Sequence, residues 1–481
     1  MEPLMGKRVF ISADHGLAVV YFLQSDVLPT LLNGGAEVVV LTDDGLKDQI
    51  TQRFGQPGLT VEGLRLKQAH LYAEKVRPSA QYWQAFLRRA GSSDRINLEA
   101  QVSYIRQVEF EASGRRKMLV PVMKAAVNVL RKSRFARGQL MRGQMRFAPD
   151  LYGDLFDRYQ PDLVVASTPG WRLDRYLLRQ AARRGVKTAA VVVGWDNPSS
   201  YALPGAPMDA ITCWSDVQKQ ELVEGSDWDP ARVHVGGIPS YDGYFRKQWL
   251  MSKDEYFRLH GLDPQRKLLG YACSFITFSP NYQNIEALAR LVASDRLAEP
   301  SQLLVRLHPN HFMSDPLYAG ERQRIQQLAR DLPHVHVVEP VPLGGELGYY
   351  SGEDMPEKTS MMAYSDVFLT VYSTMVVEAA IHDRPIVAVC IDAPGGWNTP
   401  GKFSLALSEI GEWPTHQRFR QAGAGRVATD VDSLKDAVNA YLRQPALDSD
   451  KRAQFIRDEV TFTDGSSGRR TGEYLLNLLK G

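Results

Sequence analysis

Residues 8–42 read RVFISADHGLAVVYFLQSDVLPTLLNGGAEVVVLT. Arg8–Ser12 is apolar and partly β-branched, Ala13-Asp14-His15-Gly16 interrupts it, and residues 17–32 place apolar side chains at helical spacing. Asn33-Gly34-Gly35 stops that helix, and Glu37–Thr42 supplies a second strand. Strand, helix and strand within about 35 residues form a βαβ unit, whose parallel sheet is normally covered on both faces.

The same rhythm extends outward. Residues 163–167 and 188–193 are strands with a helix at 172–184 between them, and strands at 210–214 and 233–236 follow. Between about 57 and 150 the pattern lapses into charged, largely helical sequence, which reads as an insertion. After a helical connector at 252–260 the alternation restarts, with strands at 267–274, 303–307, 335–338, 367–370 and 385–389. The expected architecture is α/β, with two facing, doubly wound, Rossmann-like domains over 1–245 and 246–455. A C-terminal helix within 456–481 is expected to return to the first domain. In such sheets ligands sit beyond the carboxyl ends of the strands, which for two facing sheets means the cleft between them.

Bulk composition excludes several classes. With 481 residues, 44% hydrophobic and 23% charged, the chain is ordinary for a globular protein of two domains. No run approaches the ~20 apolar residues of a spanning helix. The first residues lack a basic n-region and a cleavage site, and Cys213, Cys273 and Cys390 lie far apart with no CxxC pair. The expectation is a cytoplasmic protein without disulfides, a structural zinc or any other bound metal.

Chemistry concentrates in the second half. Arg306-Leu307-His308-Pro309-Asn310 ends a strand at a proline, which presents His308 at the mouth of the sheet beside the Arg306 guanidinium. Both groups suit a phosphate oxygen, although a strand-end histidine bonded to backbone leaves the same trace. The strand at 367–370 runs into Tyr372-Ser373-Thr374-Met375, read as turning helical, so that Ser373 or Thr374 caps a helix whose exposed amides favour an anion. Glu378, about one turn further, can accept hydrogen bonds from ribose hydroxyls.

Taken in order, Arg-x-His-Pro, Asp-Val-x-x-Thr-x-Tyr-Ser-Thr-x-x-x-Glu-Ala and Asp383-Arg384-Pro385-Ile386-Val387 resemble the donor half of GT-B-fold transferases. The nearest likeness is to the CDP-glycerol glycerophosphotransferase-like and capsule polysaccharide enzymes. Gly194-Trp195-Asp196-Asn197, Trp214-Ser215, 235–242 and 463–469 agree, so the resemblance spans roughly 160–475. It implies that Arg306, His308, Ser373 and Thr374 hold the phosphates of a UDP-, CDP- or CMP-linked donor. It further implies that Glu378 holds the ribose and 340–347 lines the base, with no metal and no cofactor beyond the nucleotide-activated donor.

The catalytic base is expected from the first domain. His15 beside Asp14 is one choice. Asp43-Asp44-Gly45, which superficially matches a sialyltransferase motif, offers Asp44 as the other, although a tight turn uses the same residues. The activity implied is transfer of a sugar or polyol phosphate to a surface polysaccharide or lipid-linked glycan. A UDP-sugar 2-epimerase of the same fold and a non-catalytic glycan-binding module are the alternatives.

Residues 115–146 stand outside this scheme. They hold ten Lys/Arg and no Asp or Glu, leaving 47 basic against 55 acidic residues elsewhere. Leu119, Met123, Ala126, Val127 and Leu130 recur there at helical spacing, so the block is expected either to meet an anionic membrane surface or to pack on the acidic body. Without interleaved aromatics or a recognition motif, nucleic acid is not an expected partner.

Overall fold

The computed structural model describes residues 6–274, 280–313, 315–392 and 402–480. The chain divides into two compact units. The first comprises the chain up to Asp242 together with Leu343–Ser351 and the stretch from Glu459 onward; the second comprises Gly243–Pro342 and Gly352–Asp458.

In the first unit β1 (Arg8–Ser12), β2 (Glu37–Thr42), β3 (Leu59–Gly63), β4 (Leu163–Ala166), β5 (Lys187–Val191), β6 (Ala210–Cys213) and β7 (Val233–Val235) form one sheet. Its order is β3-β2-β1-β4-β5-β6-β7 and its pairings are parallel. In the second unit are β8 (Lys267–Ala272), β9 (Ser301–Arg306) and β10 (Val335–Val338), after which the chain forms a short pair, β11 (Pro342–Gly344) and β12 (Tyr349–Tyr350), that lies from Leu343 onward in the first unit. Strands β13 (Val367–Thr370), β14 (Ile386–Val389) and β15 (Arg426–Ala428) complete a parallel sheet of order β10-β9-β8-β13-β14-β15. Central strands such as β4 and β14 are buried along their whole length, which is why they read as continuous apolar runs rather than alternating ones.

Besides the edge strand β15, which the sequence reading did not include, three local outcomes depart from that reading. The helix expected over 17–32 is a π-turn at Val19–Leu23 followed by a separate helix, Val27–Asn33. Ser25 breaks it: its hydroxyl donates to the Tyr21 carbonyl and accepts from the Val27 amide, taking groups a continuous helix would use itself. Leu59–Gly63 joins the sheet edge as β3, so the helical part of the insertion starts at Leu66. Finally, Leu343–Ser351 leaves the neighbourhood of its own sheet and is built into the first unit. There the Asp43 carboxylate accepts from the Glu346 and Leu347 amides at 2.6 and 3.2 Å, and the buried Tyr349 hydroxyl donates to the Ala13 carbonyl. Gly345 makes this approach possible: its φ is +78°, and a Cβ there would lie 2.7 Å from Asp43 Oδ2.

The C-terminal helix Ser467–Leu479 is part of the first unit, packing Leu475, Leu476 and Leu479 with Val27, Leu28 and Leu31. Several residues quoted above for the family resemblance hold this return. The buried Asp242 carboxylate accepts from the Ser467 amide at 2.9 Å and the Gly468 amide at 2.7 Å, satisfying donors of the first turn. Trp195 Nε1 donates to Glu459 at 2.6 Å. Replacing Asp242 by Ala leaves two buried amides without an acceptor, and urea unfolding is expected to show a loss of about 2 kcal/mol. Asp242→Asn is expected to lose less, since one oxygen is kept.

Candidate functional site

Register brings the carboxyl ends of the second sheet level. Arg306 on β9 pairs with Ala272 on β8, and Ala272 pairs with Thr370 on β13. The segments leaving β9 and β13, which carry His308 and Ser373-Thr374, therefore start two strand spacings apart, about 10 Å.

His308 is held rigidly. It caps the turn Pro309–Phe312, its Nδ1 accepting from the Asn310 amide at 3.1 Å, while its own amide donates to His311 Nδ1 at 3.0 Å. His311 is fixed in turn by a 2.9 Å contact from Nε2 to buried Glu321. Burial, then the charges of His311, Arg306 and Lys358, push the His308 pKa down to about 3. The ring is thus neutral, and with Nδ1 accepting a proton donor it carries its own hydrogen on Nε2. It can donate one hydrogen bond to an anion, but contributes no charge.

The charge comes from a residue that sequence reading passed over. Lys358, on the helix Met355–Tyr364, places Nζ 2.6 Å from Glu378 Oε2 and is close enough to His308 to depress its pKa. Tyr244 donates a second hydrogen bond to the same Glu378 oxygen. Both contacts fall on Oε2, so Oε1 of this buried carboxylate has no hydrogen-bond partner among the described residues. Ser373 and Thr374 are half-buried at the start of the helix Met375–Ile381, Thr374 at the cap position and Ser373 Oγ accepting from the Met375 amide at 3.3 Å. No motif marks Lys358; it is visible only once the crossover helix is docked.

Arg306 sits differently from its expected role. The side chain is buried and its guanidinium forms ion pairs with Asp354 and Glu357, at the start of the helix that carries Lys358. Its structural effect is to anchor that helix. The segment expected to line the nucleotide base, 340–347, lies from Leu343 onward in the first unit.

In the first unit β1 and β4 are neighbours whose connections run to opposite sides, the switch point at which such sheets open a crevice. Asp14 follows β1 but is buried, accepting from the Asp174 amide at 2.7 Å and from Arg172 Nε at 3.4 Å. Burial raises its pKa; Asp174, buried and facing the Asp14 charge, is raised to about 7. His15 is half-buried, with Nδ1 accepting from the Leu17 amide at 3.1 Å, and burial together with Arg172 lowers its pKa to about 3. Asp44 accepts from the Arg65 and Leu66 amides at 3.0 and 2.8 Å, tying β2 to the helix Leu66–Lys75. His15 and Asp44 are therefore on different hydrogen-bond networks, and both Asp44 oxygens already accept backbone donors.

Four buried or half-buried histidines are held neutral, chiefly by burial: His15, His308 and His416 at about 3, and His382 at about 4. Unfolded, each takes up a proton near pH 6.5. Their contribution is complete above that pH and is lost as pH falls toward 3, at up to about 1.4 kcal/mol per histidine per pH unit. Denaturant midpoints are expected to drop through this window, and His308→Asn to flatten the decline.

No family model matches the sequence, and no curated protein matches it. Solved structures do match. The UDP-GlcNAc 2-epimerase of Neisseria meningitidis, bound to UDP-GlcNAc, has a TM-score of 0.52 at 11% identity, covering 98% of this chain and 99% of that one. An epimerase assigned to the same reaction from Listeria monocytogenes gives 0.51 at 13% identity, over 96% and 93%. A glycosyltransferase from Rickettsia africae gives 0.50 at 9% identity, over 98% of each chain. At these identities the likeness is one of fold: two parallel-sheet, Rossmann-like units of the GT-B type.

Proposed function

We propose that this protein is a GT-B transferase that moves a sugar or polyol phosphate from a nucleotide-activated donor to a surface-glycan or lipid-linked acceptor. The observation that carries the reading is the network of His308, Lys358, Glu378 and Tyr244 at the carboxyl end of the second sheet. Its chemistry matches a nucleoside diphosphate piece by piece. Lys358 supplies positive charge, and the His308 Nε2–H and the amides near Ser373-Thr374 supply donors for phosphate oxygens. Glu378 Oε1 supplies the acceptor for a ribose hydroxyl, with Oε2 pinned by Tyr244 and Lys358. As the bond to the leaving nucleotide breaks, its growing negative charge falls on groups already oriented, which requires no metal ion. His15, the base expected from the sequence, is a weak one here: burial and Arg172 lower its pKa to about 3, so it holds no proton near neutral pH and the acceptor proton is assigned to no residue of the first unit. Asp14 positions the loop beside it through Asp174 and Arg172.

A UDP-sugar 2-epimerase is the second reading, and the likeness of fold to the Neisseria meningitidis enzyme favours it. Proton exchange at a sugar carbon calls for carboxylates facing the sugar. Those considered in the first unit are otherwise engaged, Asp14 and Asp174 by burial, Asp43 and Asp44 by backbone amides.

Calorimetric titration with UDP, CDP, CMP and GDP is expected to show binding of at least one. Lys358→Ala or His308→Ala should each weaken it by about 10- to 100-fold, the loss of one charge-assisted hydrogen bond. If none of the four binds, the donor site is refuted. Incubating the protein with UDP-GlcNAc in heavy water separates the two enzyme readings. A transferase leaves C2 unlabelled, whereas deuterium at C2 establishes the epimerase.

A further inference from the structure

The helix Gly114–Lys132 has two apolar faces. Val120 and Val127 pack inward with Trp83, Phe86 and Ile105. On the opposite side Met118, Val122 and Val129, at i, i+4 and i+11, are 78%, 58% and 59% exposed, and Phe135 on the next helix, Arg134–Gly143, is 73% exposed. The expected helix is present, with Val127 and Leu130 of its expected apolar face buried and Met123 packed against the same cluster, while Leu119, assigned to that face, is exposed.

Such side chains are usually covered. Here the stripe is edged by cations: Arg115 on one side, Lys117 and Lys132 on the other, with Arg142 and Arg146 further along, all exposed. None of these five forms an ion pair with a described residue. The cations that do have partners lie elsewhere on the block: Lys124 with Glu109, Arg137 bidentate with Asp227, and Arg116 over the Tyr82 ring. The packing of the block on the body thus uses some of its positive charge and leaves an apolar strip with a basic margin facing outward.

We infer that this surface docks on an anionic lipid bilayer, Met118, Val122, Val129 and Phe135 entering the headgroup–acyl boundary while the flanking Lys and Arg meet lipid phosphates. The charge pattern selects this occupant. A polynucleotide satisfies the cations but leaves the aliphatic strip in water or against phosphates, whereas a bilayer takes apolar and cationic groups at adjacent depths. A second copy meeting it face to face would set this acid-free block against itself, like charge against like. The inference stands apart from the nucleotide site and fails or holds independently of it.

The test is co-sedimentation of the full chain with 100 nm vesicles of phosphatidylcholine alone or with about a third phosphatidylglycerol, at physiological salt. The partition coefficient is expected to be at least tenfold higher for the anionic vesicles. The triple variant Met118→Ser, Val122→Ser, Val129→Ser should lose tenfold or more, and so should Lys117→Gln with Lys132→Gln and Arg142→Gln. These positions are exposed, and unchanged circular dichroism and melting would confirm intact folds. The inference is overturned by equal or absent binding to the two vesicles, or by wild-type binding of the serine variant. It is also overturned if a single-stranded oligonucleotide binds tighter than the vesicles, or if the serine changes abolish self-association rather than vesicle binding.

Discussion

Burial of parallel strands on both faces is the constraint on which the rest of this structure depends. Strands such as β1, β4, β8, β9, β13 and β14 have almost no exposed surface, so a polar side chain inside them would lose its water without gaining a ligand. Chemistry can emerge only where a strand ends. Because neighbouring strands run the same way and stay in register, the ends fall on one line, and residues more than 60 positions apart, such as His308 and Ser373, leave the sheet at the same level, with one strand between them.

Charged residues that do enter the interior serve as wiring. Arg306 is paired with two carboxylates, Asp14 with an amide and a guanidinium, and Asp242 with two helix amides. An unpaired charge at such depth would cost several kcal/mol, whereas a paired one locks its elements in a single arrangement. The arrangement so locked differs in consequence from case to case. At Arg306 it presents Lys358 to Glu378 and His308; at Asp242 it brings the chain's last helix back onto the first sheet.

Legibility from sequence tracked how local each cause was. The β1–β2 unit was readable because period, length and the glycine stop all act within 35 residues. His308 was readable because Pro309 must end the strand, and Glu378 because it lies one turn past a capping residue. Arg306 looked like a ligand from its position, yet alternation along the strand turned it toward Asp354 and Glu357, residues about 50 positions away. Lys358 carried no signal, since its partner lies on a different helix. β3 escaped notice because five residues containing Glu62 and Gly63 look like a strand only beside β2.

The sequence by itself determined the class of architecture, the strands of both sheets other than the edge strands β3 and β15, the places where they end and the charge of the 115–146 block, because each follows from short-range periodicity or composition. Tertiary structure alone decided which charges are paired inside the protein, that Leu343–Ser351 builds into the first unit, and which side of the helix Gly114–Lys132 is left outside. The physical reason is that hydrophobic periodicity reports that a side chain will be buried or exposed, while the identity of its partner is set by which distant element closes over it.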